Sequence, residues 1–330
     1  MSVEEDEVNP TTFSIQVVLL AIVFVTAIAG NGLVCCAVYH FKQLRTIPNF
    51  FIVNLSIIDL CNALVNMPLF VGYYVIKADI FRGKWVSYVC SSLHNYVIYL
   101  NVSALLLLMA DRYGAIKYNL RYHAWKTKSK AFLGIACIWA SGTVLLIALG
   151  FRRDRILAPY EGLTLMEYRR ILYNAEGWKA ALGIFGVPFL GIAILGFLLW
   201  RAVRASRWRM LAIAGGDDCS RQGRQMLSML RVKEVQTARN IAVVVVAYFV
   251  CFVPNVVHGL LVRNGINSPW AEYFAFFFTY FSSACNPIVY SLRTCRFREV
   301  VKELFKCKSK EKRVPALPVV LTNMRSLQVD

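Results

Sequence analysis

Residues Val8–Phe41 read VNPTTFSIQVVLLAIVFVTAIAGNGLVCCAVYHF, and none of them is Lys, Arg, Asp or Glu. A helix rises about 1.5 Å per residue and the hydrocarbon core of a bilayer is about 30 Å thick, so roughly 20 apolar residues are enough to cross it. This run exceeds that length. Glu4, Glu5, Asp6 and Glu7 precede it where a cleavable leader would carry basic residues, and its apolar part is too long for such a leader. The expectation is a retained membrane helix.

The same property recurs along the chain. Thr46–Ile76 carries a single charge, Asp59; Trp85–Ala110, Ala131–Phe151, Ala180–Trp200, Asn240–Val262 and Tyr273–Leu292 carry none. Seven such stretches, each at least 20 residues long, predict an all-α membrane protein, a seven-transmembrane helix bundle. Composition agrees: 58% of the 330 residues are apolar and 17% charged, against about 45–50% and about 25% in soluble domains. A transmembrane barrel would show roughly ten-residue alternating segments instead.

The net charge of +18 is placed as a membrane protein places it. With the N-terminus outside, 27 of the 37 Lys and Arg fall on cytosolic segments and 10 on outer ones. Basic residues accumulate on the cytosolic side, which predicts an extracellular N-terminus. The charge then faces anionic lipid headgroups and acidic cytosolic partners, with no nucleic acid implied. The expected organisation is an N-terminal extracellular tail (1–12), a seven-span domain (13–292), an amphipathic juxtamembrane helix (294–308) and a cytoplasmic tail (309–330). Phe297, Val300, Val301, Leu304 and Phe305 form one helical face of that short eighth helix, fit to lie on the inner leaflet. Cys307 at its end is a candidate palmitoylation site; a free cytosolic thiol is the alternative.

Polar groups inside spans are costly and usually functional. Asp59 is the only acid in the middle of a span, with Asn31, Asn101, Ser282, Ser283 and Asn286 as candidate company. A structural hydrogen-bond knot and a small-cation site are both open, since oxygen-rich clusters around a carboxylate suit hard cations. Asp111-Arg112-Tyr113 at the inner end of the third span reads, on its chemistry alone, as a snorkelling flank.

These residues together resemble the rhodopsin-like (class A) G-protein-coupled receptors, over about residues 14–308. The carriers are Gly30-Asn31 in the first span, Asn54-Leu55-Ser56 and Asp59 in the second, and Asp111-Arg112-Tyr113 with Ala115-Ile116 and Leu120 after the third. Trp139, Pro188, Cys251-Phe252-Val253-Pro254 and Asn286-Pro287-Ile288-Val289-Tyr290 follow in order on the later spans. The resemblance implies a cell-membrane receptor, multi-pass, that takes an extracellular ligand and activates a heterotrimeric G-protein by outward movement of helix six. It implies that Arg112 pairs with Asp111 and Glu234 at rest and with the transducer when freed, next to Tyr113, and that Tyr290 swings inward on activation. It also implies a sodium pocket at Asp59, Asn101, Ser283 and Asn286, so Na+ is the one ion expected.

The family's ligand cavity maps onto His94, Asn95, Ile98 and Tyr99 of the third span, Phe252, Asn255 and His258 of the sixth, and Glu272, Phe276 and Tyr280 of the seventh. Where amine receptors carry an aspartate this chain has His94, so a typical monoamine loses its ion pair. The seventh span has no lysine to hold retinal. The ligand class stays open among small molecule, lipid and peptide. His94 and His258 fit either a metal or pH sensor or neutral, hydrogen-bonded pocket residues.

The chain departs from the family in four places. Ser87 stands where the outer disulfide would anchor, Cys90 has no cysteine partner in the second outer loop, and no disulfide is expected. Phe252 replaces a tryptophan, Gly196 a tyrosine and Asn119 a proline. No hydrolase, metalloprotease or phosphate-loop motif is present, so no enzyme is expected. A polytopic transporter or channel is the alternative class; it predicts inverted repeats and several midplane charges, which the sequence does not show.

Overall fold

A computed structural model of the chain describes residues 10–72, 84–118, 120–157, 186–214, 221–266 and 268–293, with 171 and 299 as isolated positions. Among the described residues there is no strand. The helices are α1 (Pro10–His40), α2 (Ile47–Cys61), α3 (Met67–Phe70), α4 (Lys84–Tyr118), α5 (Leu120–Trp125), α6 (Lys128–Leu157), α7 (Val187–Ala214), α8 (Arg221–Arg263) and α9 (Pro269–Arg293). The juxtamembrane helix expected at 294–308, Cys307, the tail from 309 and residues 1–9 lie outside the described residues.

Among the described residues these make seven long rods and the short α5, because α2 and α3 are one rod joined by a π-turn over Asn62–Asn66. Pro68 explains the turn. It has no N–H to give and its ring crowds the preceding turn, and widening one turn is a way a helix absorbs that without breaking. Six rods are long and apolar enough to cross a membrane. The seventh, α9, carries Glu272, Thr279, Ser282, Ser283 and Asn286, all of them buried, so its polar residues face the bundle.

The basic segment expected as a loop at 201–233 is largely helical. Here α7 continues to Ala214 and α8 starts at Arg221, leaving only 215–220 between them undescribed. Met, Leu, Arg, Gln, Lys and Glu are good helix formers, and Gly215-Gly216 is the first stop signal in the segment. At the other end of α8 the chain reverses through Gly265, whose φ of 74° is open to glycine without strain. The Gly265 and Ile266 N–H groups donate to the Val262 and Leu261 carbonyls and close the helix end.

The polarity is that of a protein dissolved in lipid. Val18, Ile22 and Val25 of α1, Phe132, Leu133 and Val144 of α6, and Leu190, Ile194 and Phe197 of α7 are exposed. Asn31, Asn54, Asp59, Asn62, Asn101 and Asn286 are buried. With no water in the hydrocarbon, helices that satisfy their own backbones can show apolar side chains outward. The centre is α4, which packs against α2, α6, α7 and α8. Leu100, Val102, Leu105, Leu108 and Met109 of α4 form one core with Leu55 and Ile58 of α2 and Val244 and Tyr248 of α8. A second core joins α1, α3 and α9 through Leu20, Met67, Phe70, Tyr273 and Phe276. Trp139 ties α6 to α2 by donating from Nε1 to Asn54 Oδ1 at 2.9 Å.

Candidate functional site

Three polar sites lie along the bundle axis. The first surrounds Asp59, midway along the α2–α3 rod. Its Oδ2 accepts Asn286 Nδ2 at 2.7 Å, and Ser283 and Asn101 lie beside the same carboxylate. Asn31 Nδ2 donates to the Ser283 carbonyl at 2.9 Å and to the Ala27 carbonyl at 3.0 Å, pinning α1 to α9. The four residues assigned from the sequence are therefore brought together. Ser282 is not among them, since its hydroxyl turns back to the Thr279 carbonyl at 2.7 Å.

Asp59 Oδ1, Asn101 Oδ1, Asn31 Oδ1 and Ser56 Oγ are buried with no protein hydrogen-bond partner. An unpartnered buried polar atom costs about 1–3 kcal/mol, which an ion or a water bonded to such an oxygen would offset. The donor set, carboxylate plus hydroxyl and amide oxygens, fits a hard monovalent or divalent cation and offers nothing to a soft one.

Two further asparagines belong here that the sequence reading passed over. Asn62 Nδ2 donates to Ser283 Oγ at 3.0 Å, Asn66 Nδ2 donates to Asn62 Oδ1 at 3.1 Å, and the Tyr280 hydroxyl donates to the Asn66 carbonyl at 3.3 Å. The signal was legible: Ser56, Asp59, Asn62 and Asn66 recur at helical spacing within an apolar span.

The second site is at the far end of α4. Asp111 and Arg112 are 4% and 2% exposed. Arg112 donates from Nε to Asp111 Oδ2 at 2.9 Å and again from Nη2. The other carboxylate oxygen, Oδ1, accepts the Tyr122 hydroxyl at 3.0 Å and pairs with Lys126 Nζ. A snorkelling flank would keep its guanidinium in water; this one is buried and hydrogen-bonded. Tyr122 and Lys126 come from the segment through α5, which folds back over α4. Gly114 makes room for this: a Cβ there would stand 2.5 Å from Tyr122 Cε2. Tyr113 accepts a hydrogen bond from Lys117 Nζ at 2.8 Å and so points away from the pair. The side chains of Glu234 and Tyr290 lie outside the described residues.

The third site is at the opposite end of the bundle. Asn255 Nδ2 lies 3.5 Å from His94 Nε2 and donates to Thr279 Oγ1 at 3.3 Å, joining α4, α8 and α9. The His94 and Phe276 rings are 4.7 Å apart, and Phe276 stacks on Phe70 at 4.4 Å. Below them Phe252 packs on Phe189 at 4.8 Å and lies parallel to Tyr248. Ile98 is fully buried in the core. His258 and Glu272 are buried as well, where a rim position would leave them open.

The structure separates Asn95 and Tyr99 from this group. They line a groove between α4 and α6 with Ser92, Tyr96, Gly142 and Leu145, and the Tyr99 hydroxyl meets Ser141 Oγ at 3.0 Å. Successive residues on a helix turn by about 100°, so with His94 and Ile98 facing the bundle axis, Asn95 and Tyr99 face α6. Tyr280 turns towards α3, packing on Phe70 at 5.5 Å.

The described helices thus enclose a polar interior, with the His94–Asn255–Thr279 cluster at one end and the buried Asp111–Arg112 pair at the other. The family described as the seven-transmembrane receptors of the rhodopsin family matches residues 30–290, and the chain belongs to it. It is 25% identical over 305 residues to human neuromedin-U receptor 1, covering 86% of this chain and 71% of that one. It is 26% identical over 306 residues to the dog histamine H2 receptor, covering 91% and 81%. To human galanin receptor type 1 it is 22% identical over 306 residues, covering 89% and 82%. The crystal structure of squid rhodopsin superposes with a TM-score of 0.75 at 21% identity, covering 95% of both chains, and shares the fold. The protein is thus a multi-pass, rhodopsin-like G-protein-coupled receptor and not an enzyme, and the transporter or channel alternative is set aside.

Proposed function

We propose that the chain sits in the plasma membrane with its N-terminus outside and that an extracellular ligand enters the end marked by His94, Asn255 and Thr279. Binding there favours a packing in which the cytosolic half of α8 moves away from α4, releasing Arg112 to a heterotrimeric G-protein. The observation that carries this reading is the buried Asp111–Arg112 pair, held at one end while the hydrogen-bonded polar cluster lies at the other. A ligand shifts such a two-state bundle only by its differential affinity for the two packings. Na+ held by Asp59, Asn101, Ser283 and Asn286 would supply a positive charge that opposes the closer packing of the active state.

The relatives' names point to peptide and amine ligands of those proteins. In this chain His94, Asn255 and Thr279 offer hydrogen bonds and no carboxylate, so a peptide or another hydrogen-bonding ligand fits better than a monoamine. An amine would have to reach Glu272. No residue of the seventh span offers the amine that a retinal Schiff base needs.

The test is to attach spin labels or fluorophores at the cytosolic ends of α4 and α8 and measure their separation while screening peptide and small-molecule panels with cAMP and calcium readouts. An active ligand is expected to lengthen that distance. A distance that stays fixed while the G-protein responds would remove the outward movement of α8 from the mechanism.

The Gly114 contact yields a second expectation. Gly114→Val displaces the Tyr122 ring from Asp111, loosens the resting latch, and raises ligand-independent nucleotide exchange on the G-protein. Tyr122→Phe, which removes only the hydroxyl, is expected to raise it less. Equal basal exchange in wild type and both variants would show that Tyr122 has no part in the latch.

A further inference from the structure

The polar face of the second span does not end at Asp59. Asn62 and Asn66 lie three and seven residues further on and are 1% and 4% exposed. A ligand at His94 and a latch at Arg112 leave both amides without a task. Neutral amides at such depth are retained only when hydrogen-bonded, and here the bonds have a direction. Asn66 donates to Asn62, and Asn62 donates to Ser283 Oγ.

Neighbouring hydroxyls on α9 show what Ser283 would otherwise do. Ser282 Oγ donates to the Thr279 carbonyl at 2.7 Å and Thr279 Oγ1 to the Ala275 carbonyl at 2.8 Å, both turned back onto their own helix. This is the usual fate of a mid-helix hydroxyl. Ser283 is turned inward instead, with Asn62 on its oxygen and Asp59 beside it. A hydroxyl has one hydrogen and two lone pairs. With one lone pair occupied by Asn62, the remaining lone pair and the hydrogen are left for the Asp59 side.

We propose that Asn62, itself oriented by Asn66, is a positioning residue that holds the Ser283 hydroxyl in the cation site and thereby sets its affinity for Na+. The relay also links that site to the outer half of the bundle, because Asn66 Nδ2 reaches the Leu93 carbonyl of α4 at 3.4 Å and the Asn66 carbonyl receives Tyr280. The inference rests on the reading that Asp59 takes Na+, and the experiment separates the two.

Full-length receptor in lipid nanodiscs is melted by intrinsic tryptophan fluorescence while NaCl replaces N-methyl-D-glucamine chloride at constant ionic strength. The wild type is expected to gain Tm with Na+, and Asp59→Asn to lose that gain. Asn62→Leu is expected to raise the half-saturating Na+ concentration roughly tenfold, the worth of one well-placed hydrogen bond. Ser283→Ala is expected to do the same, and the Asn62→Leu/Ser283→Ala double variant to go no further than Ser283→Ala alone, since one acts through the other. Asn66→Ala, which leaves Asn62 in place, is expected to give a smaller rise and carries the test if Asn62→Leu does not accumulate.

A half-saturation point within about twofold of wild type in Asn62→Leu, with Asp59→Asn still abolishing the Na+ gain, would overturn the relay and leave the Na+ site standing; so would additive effects in the double variant, since the one hydrogen bond behind the tenfold change should be lost only once. Identical melting of the wild type in Na+ and N-methyl-D-glucamine would overturn both.

Discussion

Replacing Arg112 with alanine is expected to abolish G-protein activation while the receptor still reaches the cell surface. Removing one member of a buried ion pair normally strands the other, which is strongly destabilising. Here it does not, because Asp111 keeps the Tyr122 hydroxyl and the Lys126 ammonium on Oδ1. The loss includes the Arg112 bonds to Oδ2, about 1.5–3 kcal/mol for hydrogen bonds to a charged group, partly recovered as Lys126 re-centres. What disappears is the one buried guanidinium that our reading presents to the transducer. Surface labelling on intact cells and nucleotide exchange in membranes separate the two effects. Asp111→Asn is expected to act in the opposite sense, raising basal exchange by weakening the grip on Arg112. A ligand response in Arg112→Ala equal to that of wild type would refute the assigned role of Arg112.

Gly30→Val is expected to cause the largest loss of folded receptor of any substitution named here. A Cβ at residue 30 would stand 2.5 Å from Pro287 Cγ and 2.8 Å from Pro287 Cβ. The obstacle is a rigid ring on a helix, so the rods themselves must separate. Overpacking costs about 1–3 kcal/mol. Separation of α1 from α9 also weakens the Asn31 bond to the Ser283 carbonyl, about 1 kcal/mol more. Gly30→Ala should fall between wild type and Gly30→Val. Combining Gly30→Ala with Pro287→Gly, which removes the ring atoms met by the new methyl, should restore part of the Tm that Gly30→Ala loses. Fluorescence-detected gel filtration and melting in nanodiscs read these outcomes; a Gly30→Val receptor with unchanged yield and Tm would show that the two helices are free to part.

The same pairs of residues show how far linear reading reaches. Val8–Phe41 and the six stretches that resemble it announced a helix bundle in lipid because membrane crossing depends on local length and apolarity, both of which are written residue by residue. Asp59, Asn101, Ser283 and Asn286 were found for a related reason: each is a polar residue in an apolar run, and the family pattern grouped them. Asn62 and Asn66 carried the same local signal but belong to no part of that family pattern. Tyr122 and Lys126 carried none, since an aromatic and a lysine in a basic loop look like any solvated segment until α5 folds back and sets them against Asp111.

Rotation about the helix axis is the other quantity a string of letters leaves open. His94 and Asn95 are adjacent and equally plausible as pocket residues, yet one faces Asn255 of α8 and its neighbour faces α6. Spacing names the faces of a helix without saying which neighbour each face meets, because that follows from how seven rods pack at once. Membrane residence, the number of rods, their order and the buried acid at their centre were thus already set by local chemistry along the chain. Which oxygens surround Asp59, which cations share Asp111, and which side chains look into the ligand end were decided only when helices distant in sequence closed on one another, since each of these depends on distances between rods that no single rod encodes.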